Sequence, residues 1–269
     1  MPIVAITREM GTLGSEVADG LGRAMDVPVI YHEEADHLAD RMRVRKSHVI
    51  RLLDGRGSLL ERLTADKTSL AIYSADEIFG LALQGKGAVI RGWGATHLLR
   101  GVPHVVCVRV CSPLEVRKRR MMDRLDTGDE KLVGEEIHSN DEAHTAIMRR
   151  NFSVSWTDAE HYDMVLNTER IGAAECVAEV MRLIASPAFA ETEASRWQLE
   201  NLALAARVRA ALRRSLLTRD TKASVSAKDG LVTLSGNLST EILLAAAEVV
   251  SGVEGVRDYE YRVRGGEAG

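Results

Sequence analysis

Along the first 186 residues, short near-continuous apolar runs alternate with longer stretches of helical periodicity. Ile3-Val-Ala-Ile6, Val27-Pro-Val-Ile-Tyr31, Ala88-Val-Ile90, Val105-Val-Cys-Val-Arg-Val110 and Met164-Val-Leu-Asn167 show little polar alternation. Such runs suit strands of a parallel sheet covered on both faces. A glycine-containing turn after the first run leads into a helix predicted from Ser15 to Met25, and helical patterns separate the later runs. Repeated βα units of this kind predict an α/β fold, a doubly wound parallel sheet with helices on both faces.

The pattern then changes. Ser186-Pro-Ala-Phe-Ala-Glu-Thr-Glu-Ala-Ser195 is small, polar and interrupted by proline, so residues 187–196 read as a linker between a domain of residues 1–186 and one of residues 197–265. Leu199 to Leu217 is amphipathic, Ala223–Lys228 alternates, and Asp229-Gly230 is a hairpin turn answered by Leu231–Ser235. Thr240 can cap a helix to Val250, and Asp258–Val263 alternates again. The order α-β-β-α-β gives a small α+β unit with its own core. No repeat of 20–50 residues is visible.

Composition narrows the function classes. The 269 residues are 45% apolar and 28% charged, which excludes wholesale disorder and fibrous folds. Net charge is −4, so no basic excess points to nucleic acid. No apolar stretch approaches the roughly 20 residues of a membrane span, and the N-terminus lacks the pattern of a signal peptide. The three cysteines, Cys107, Cys111 and Cys176, form no CxxC pair. Buried thiols in a reducing cytoplasm are the expectation.

The turn Ile6-Thr-Arg-Glu-Met-Gly-Thr-Leu-Gly-Ser-Glu-Val17 joins the first strand to the first helix. Glycines there let backbone N–H groups face an anion, and a helix N-terminus adds partial positive charge. A full P-loop, GxxxxGK[ST], would carry a lysine that this turn lacks. The alternative is a plain glycine turn with Ser15 as helix cap. GxSxG, single-cysteine protease and GxGxxG patterns are absent.

The turn resembles the opening of the cytidylate kinase-like family, relatives of the P-loop nucleoside-monophosphate kinases. Four further segments carry the resemblance: Ala88-Val-Ile-Arg-Gly-Trp-Gly-Ala95, Val108–Arg120, Asn140–Phe152 and Tyr162–Thr168. It implies a P-loop kinase-like sheet, ATP and Mg2+ as cofactors, and phosphoryl transfer, which needs charge neutralisation and positioning more than covalent chemistry. Gly11, Thr12, Gly14 and Ser15 would cradle the nucleotide, with Ser15 as the magnesium hydroxyl. Arg8 is the nearest cation and could replace the missing lysine, or pair with Glu9 or Glu16. Arg117 and Arg120, three apart on one helix, could meet phosphates on a shared face or form a solvated basic face. Arg149 and Arg150 resemble lid arginines, and the polar, Gly-containing stretch Asp126–Gly134 that leads into their helix could serve as a hinge. Asp141 matches an acidic position that reads a cytosine edge, or is a helix N-terminal acid. Trp93 stands where cytidylate kinases usually place an arginine; it could stack on a base or pack. Arg91, two residues earlier, would point to the opposite face of its strand. His32, Glu33, Asp36 and His37 form a weak metal pattern.

Residues 199–264 resemble a BON domain through Ala206–Leu212, Asp229–Gly236 and Val253-Glu-Gly-Val256. That implies a binding module for a small ligand or for self-association into a homo-oligomer. From residue 191 onward 11 basic residues balance 11 acidic ones, so anionic membranes gain no electrostatic support. Two functions remain open: a phosphotransferase acting on a nucleoside monophosphate, or a nucleotide sensor of little turnover reporting through the BON-like module.

Overall fold

A computed structural model of the chain describes residues 2–30, 67–92 and 94–263. Five parallel strands form one sheet: β1 (Ile3–Arg8), β2 (Val29–Ile30), β3 (Ala88–Arg91), β4 (Val105–Cys111) and β5 (Met164–Asn167), in the order β2-β3-β1-β4-β5. β1 is central, with Ile3 opposite both Ala88 of β3 and Val105 of β4. After β1 the chain adds strands first on one side and then on the other. This reversal opens a crevice at the carboxyl ends of the central strands, the usual ligand position in such sheets. The expected α/β parallel sheet is therefore present, and among the described residues its second run contributes Val29–Ile30.

Strand alternation sorts the core. Val4, Ile6, Val89, Val106, Val108 and Val110 face α1 (Gly14–Met25) and α6 (Ala173–Ile184), packing on Val17, Leu21, Cys176 and Val180. Between lie α2 (Lys67–Leu83), α3 (Ala95–Leu99), α4 (Leu114–Leu125) and α5 (Glu130–Phe152). α5 is capped by Asp129, whose carboxylate accepts from the Leu132 N–H. Within the stretch expected as a hinge, Asp126 to Gly134, the residues from Glu130 onward are helical.

The chain divides into two compact units. The first joins Met1–Lys67 and Gln84–Thr192. The second joins Thr68–Leu83, nearly all of α2, to Glu193–Gly269. In it, α7 (Glu193–Arg214) and α8 (Thr240–Ser251) accompany β6 (Ser224–Lys228), β7 (Leu231–Gly236) and β8 (Asp258–Val263). β7 is central, antiparallel to β6 and parallel to β8. Val208, Leu212, Val225, Val232, Leu234 and Val250 form its core. Helix α7 starts six residues before Leu199, so the last part of the stretch read as linker is helical and Ser195 is buried. Among the described residues no helix is long and apolar enough to cross a membrane.

Candidate functional site

The carboxyl end of β1 delivers the chain into the turn Glu9–Leu13 and then into α1. The turn has no room for side chains at its glycines. Gly11 has φ +80°, and a Cβ there would lie 2.8 Å from the Arg117 carbonyl oxygen. A Cβ on Gly14 would lie 2.6 Å from the Arg8 Cβ. Leu13, just before the helix, has φ +61° without being glycine, a conformation disfavoured for a branched side chain. Thr12 is buried: its Oγ1 donates to the Glu9 carbonyl at 2.7 Å, and its own carbonyl accepts from Thr168 Oγ1 at 2.7 Å. Thr12 therefore offers the site backbone and not its hydroxyl.

Ser15 sits in the first turn of α1, and its Oγ accepts from Nη1 of Arg91 at 2.7 Å. The opposite strand face expected for Arg91 is not the one it takes, since residues two apart on a strand share a face. Arg91 shares the face of Val89, which packs under α1, and the long side chain closes the remaining distance. Arg8, on the face of Ile6, lies against Gly14.

Beside the turn, a charged network crosses β4, α4 and α5. Arg117 is 5% exposed. Its two terminal nitrogens each donate to Asp141 at 2.8 Å, its Nε donates to the Met10 carbonyl at 2.7 Å, and it lies 3.4 Å from a Glu9 oxygen. Glu9 takes a 2.5 Å bond from Arg109, which also donates to the Thr157 carbonyl. Arg109 lies over the Trp156 ring at 5.4 Å, and Trp156 stacks on His144 with ring centroids 3.9 Å apart. Burial first, then the charges of Arg8 and Arg109, push the His144 pKa down to about 3, so its imidazole is neutral. Burial, reinforced by Asp163, pushes the Cys107 thiol up to about 12, which makes it an inert packing group.

Several expectations change. Arg117 and Arg120 do not present a common basic face: Arg117 is enclosed by carboxylates, and Arg120 donates to the Thr168 hydroxyl and carbonyl at 3.0 and 2.6 Å. Asp141 is held bidentately by Arg117 instead of standing open to a base edge. Arg149 and Arg150 are exposed in the last turn of α5. Trp93 and the His32–His37 group lie outside the described residues. Glu9, Arg109 and Trp156 were missed; a lone arginine inside the apolar run of β4 was the available signal for the network.

The profile of the cytidylate kinase-like family matches residues 3–170, well over half of the chain. Among solved structures, a protein from Eubacterium ventriosum superposes with a TM-score of 0.54 at 20% identity, covering 68% of this chain and 97% of that one. This likeness concerns the fold. A shikimate kinase from Bacteroides thetaiotaomicron gives a TM-score of 0.42 at 16% identity, covering 69% and 99%. No curated protein matches the chain.

Proposed function

The chain belongs to the cytidylate kinase-like family, and from that premise we propose that it is a nucleotide-binding phosphotransferase, moving the γ-phosphate of ATP to a nucleoside monophosphate such as CMP or dCMP. The observation that carries this reading is the tight turn Gly11–Ser15, which opens α1 at the carboxyl end of the central strand with Arg8 and Arg91 on its face. Bare backbone, a helix N-terminus and two guanidiniums suit a polyphosphate.

The residues fit the phosphates of ATP. They do not fit a magnesium ion held by Ser15, because the Arg91 guanidinium already stands 2.7 Å from that hydroxyl. In the proposed reaction Gly11, Thr12 and Gly14 hold phosphate oxygens through the backbone. Arg8 adds charge beside Gly14. Arg149 and Arg150, exposed at the end of α5, approach the transferring group when that helix moves inward, excluding water as it closes. Asp141 takes the acceptor's base edge once Arg117 shares it.

The bidentate Arg117–Asp141 pair also favours a second reading, a nucleotide sensor of little turnover. In that reading the C-terminal unit, with its BON-like order of elements, binds a small ligand or a second copy of the chain. ADP release measured with CMP, dCMP and UMP, beside direct ATP binding, separates the two. Turnover with a monophosphate supports the transferase. Binding without turnover supports the sensor, and absence of ATP binding removes both.

A further inference from the structure

We propose that Arg91, carried by β3, supplies the phosphate-binding cation that the turn itself lacks, in place of a P-loop lysine. This rests on the nucleotide-binding reading above. The pattern GxxxxGK[ST] puts its lysine directly after the second glycine and its hydroxyl one residue later. Gly14 opens α1, so those two places fall to Ser15 and Glu16. Serine is too short and carries no charge. Glu16 is turned to Arg124 at 3.1 Å.

Into this gap comes a cation from 76 residues away: Nη1 of Arg91 donates to Ser15 Oγ at 2.7 Å. The placement follows from strand alternation. Val4, Ile6 and Val89 lie in the core under α1. The next residues of the same parity on these paired strands are Arg8 and Arg91, with Ile6 directly opposite Arg91. Both strands end there, so both side chains leave the core at the first turn of α1. Positive charge at a helix N-terminus opposes the helix dipole. Two guanidiniums at that end, beside the helix N–H groups, suit a bound anion. A guanidinium also presents a rigid planar fork matched to two phosphate oxygens, where an ammonium acts as a point charge. Ser15 then has a defined role: its hydroxyl fixes the fork over the turn.

The test compares ATP binding by calorimetry in the full-length wild type, Arg91→Met, Arg91→Lys and the double variant Ser15→Lys/Arg91→Met, with melting temperature measured for each. The loss of one charge-assisted contact should weaken ATP binding roughly tenfold or more in Arg91→Met. Arg91→Lys should recover part of that loss. The double variant, which returns a lysine to the turn, should recover most of it. Unchanged affinity in Arg91→Met overturns the proposal. So does a loss that follows the melting temperature and is not rescued by Ser15→Lys, since that marks a structural role. A wild type that binds no ATP is a different failure, visible before any substitution, and removes the nucleotide-binding reading together with this one.

Discussion

The two units of the molecule bury different kinds of polar group. Among the described residues, the five-stranded unit buries Glu9, Arg117, His104 and His144 as well as hydroxyls. The three-stranded unit buries only hydroxyls: Ser69, Ser74, Ser195 and Thr218. Both have an aliphatic core and a central strand paired on both sides, so stability alone does not call for the difference. Removing charge from water is expensive, and a buried ion pair is at best roughly neutral for stability against apolar packing. The first unit nevertheless concentrates its charges at the carboxyl ends of β1 and β4, where the turn and α5 meet. The contrast marks that end of the sheet as the part shaped by chemistry, and the second unit as one shaped by packing.

The largest expected effect tests whether the charged network is integral to the first unit. Arg117→Met leaves Asp141 without its bidentate partner and Glu9 paired with Arg109. Breaking a buried pair from one side destabilises by about 3–5 kcal/mol. Urea unfolding should show a loss of about 3 kcal/mol, and the double variant Arg117→Met/Asp141→Leu should recover part of it. A loss under about 1 kcal/mol in the single variant would mean that the network is a surface feature and that the contrast between the units is not energetic.

His144 gives a second difference, visible as a pH dependence. Its pKa is about 3 in the folded protein, against about 6.5 in an unfolded chain. Between these values the unfolded chain takes up a proton that the folded one refuses. Its contribution is therefore complete above about pH 6.5 and is lost progressively as pH falls toward 3. The slope is about 1.4 kcal/mol per pH unit within that window. His144→Phe keeps a ring against Trp156 and removes the titration. In denaturation series at pH 7, 6 and 5 the wild type should lose more stability on acidification than the variant. Parallel curves would show that His144 is protonated in the folded state.

The sequence made the sheet legible because parallel strands buried on both faces leave an apolar signature that survives without any tertiary information. It made the turn legible for a similar reason, since Gly11 and Gly14 occupy positions where a Cβ collides with backbone or with Arg8. What it could not assign was partnership. Arg117 and Arg120 sit three apart, and helical geometry does put them near one face, yet one meets Asp141 and the other Thr168. That choice is made by α5 and by the chain after β5, which spacing along α4 cannot encode. Arg91 was expected on the wrong strand face, although strand alternation puts it with Val89; that α1 and Ser15 lie on that face is not encoded in β3 itself. The grouping of Thr68–Leu83 with residues from Glu193 onward was likewise invisible, because a helix pattern says which face is apolar and not which distant segment covers it.

The smallest effect belongs to the second unit and checks the other half of the contrast. Thr218 is fully buried, and its Oγ1 donates to the Leu212 carbonyl at 2.7 Å, closing the C-terminal turn of α7. That carbonyl is among the last of the helix, where no intrahelical N–H remains to meet it. Thr218→Val keeps the volume and removes the donor. The net value of one neutral hydrogen bond is about 1 kcal/mol, with a further penalty only where the abandoned carbonyl cannot reach water. This bond is buried, so part of that penalty applies, and the loss should be about 1–2 kcal/mol, below that of Arg117→Met. Because no proton is bound or released at Thr218, the loss should be the same at pH 7 and pH 5, unlike the acid-dependent loss tied to His144. Thermal melts of wild type and Thr218→Val at both pH values measure it. A loss as large as that of Arg117→Met, or one that grows on acidification, would show that the second unit too depends on a buried polar network, and the division between a unit shaped by chemistry and one shaped by packing would fall.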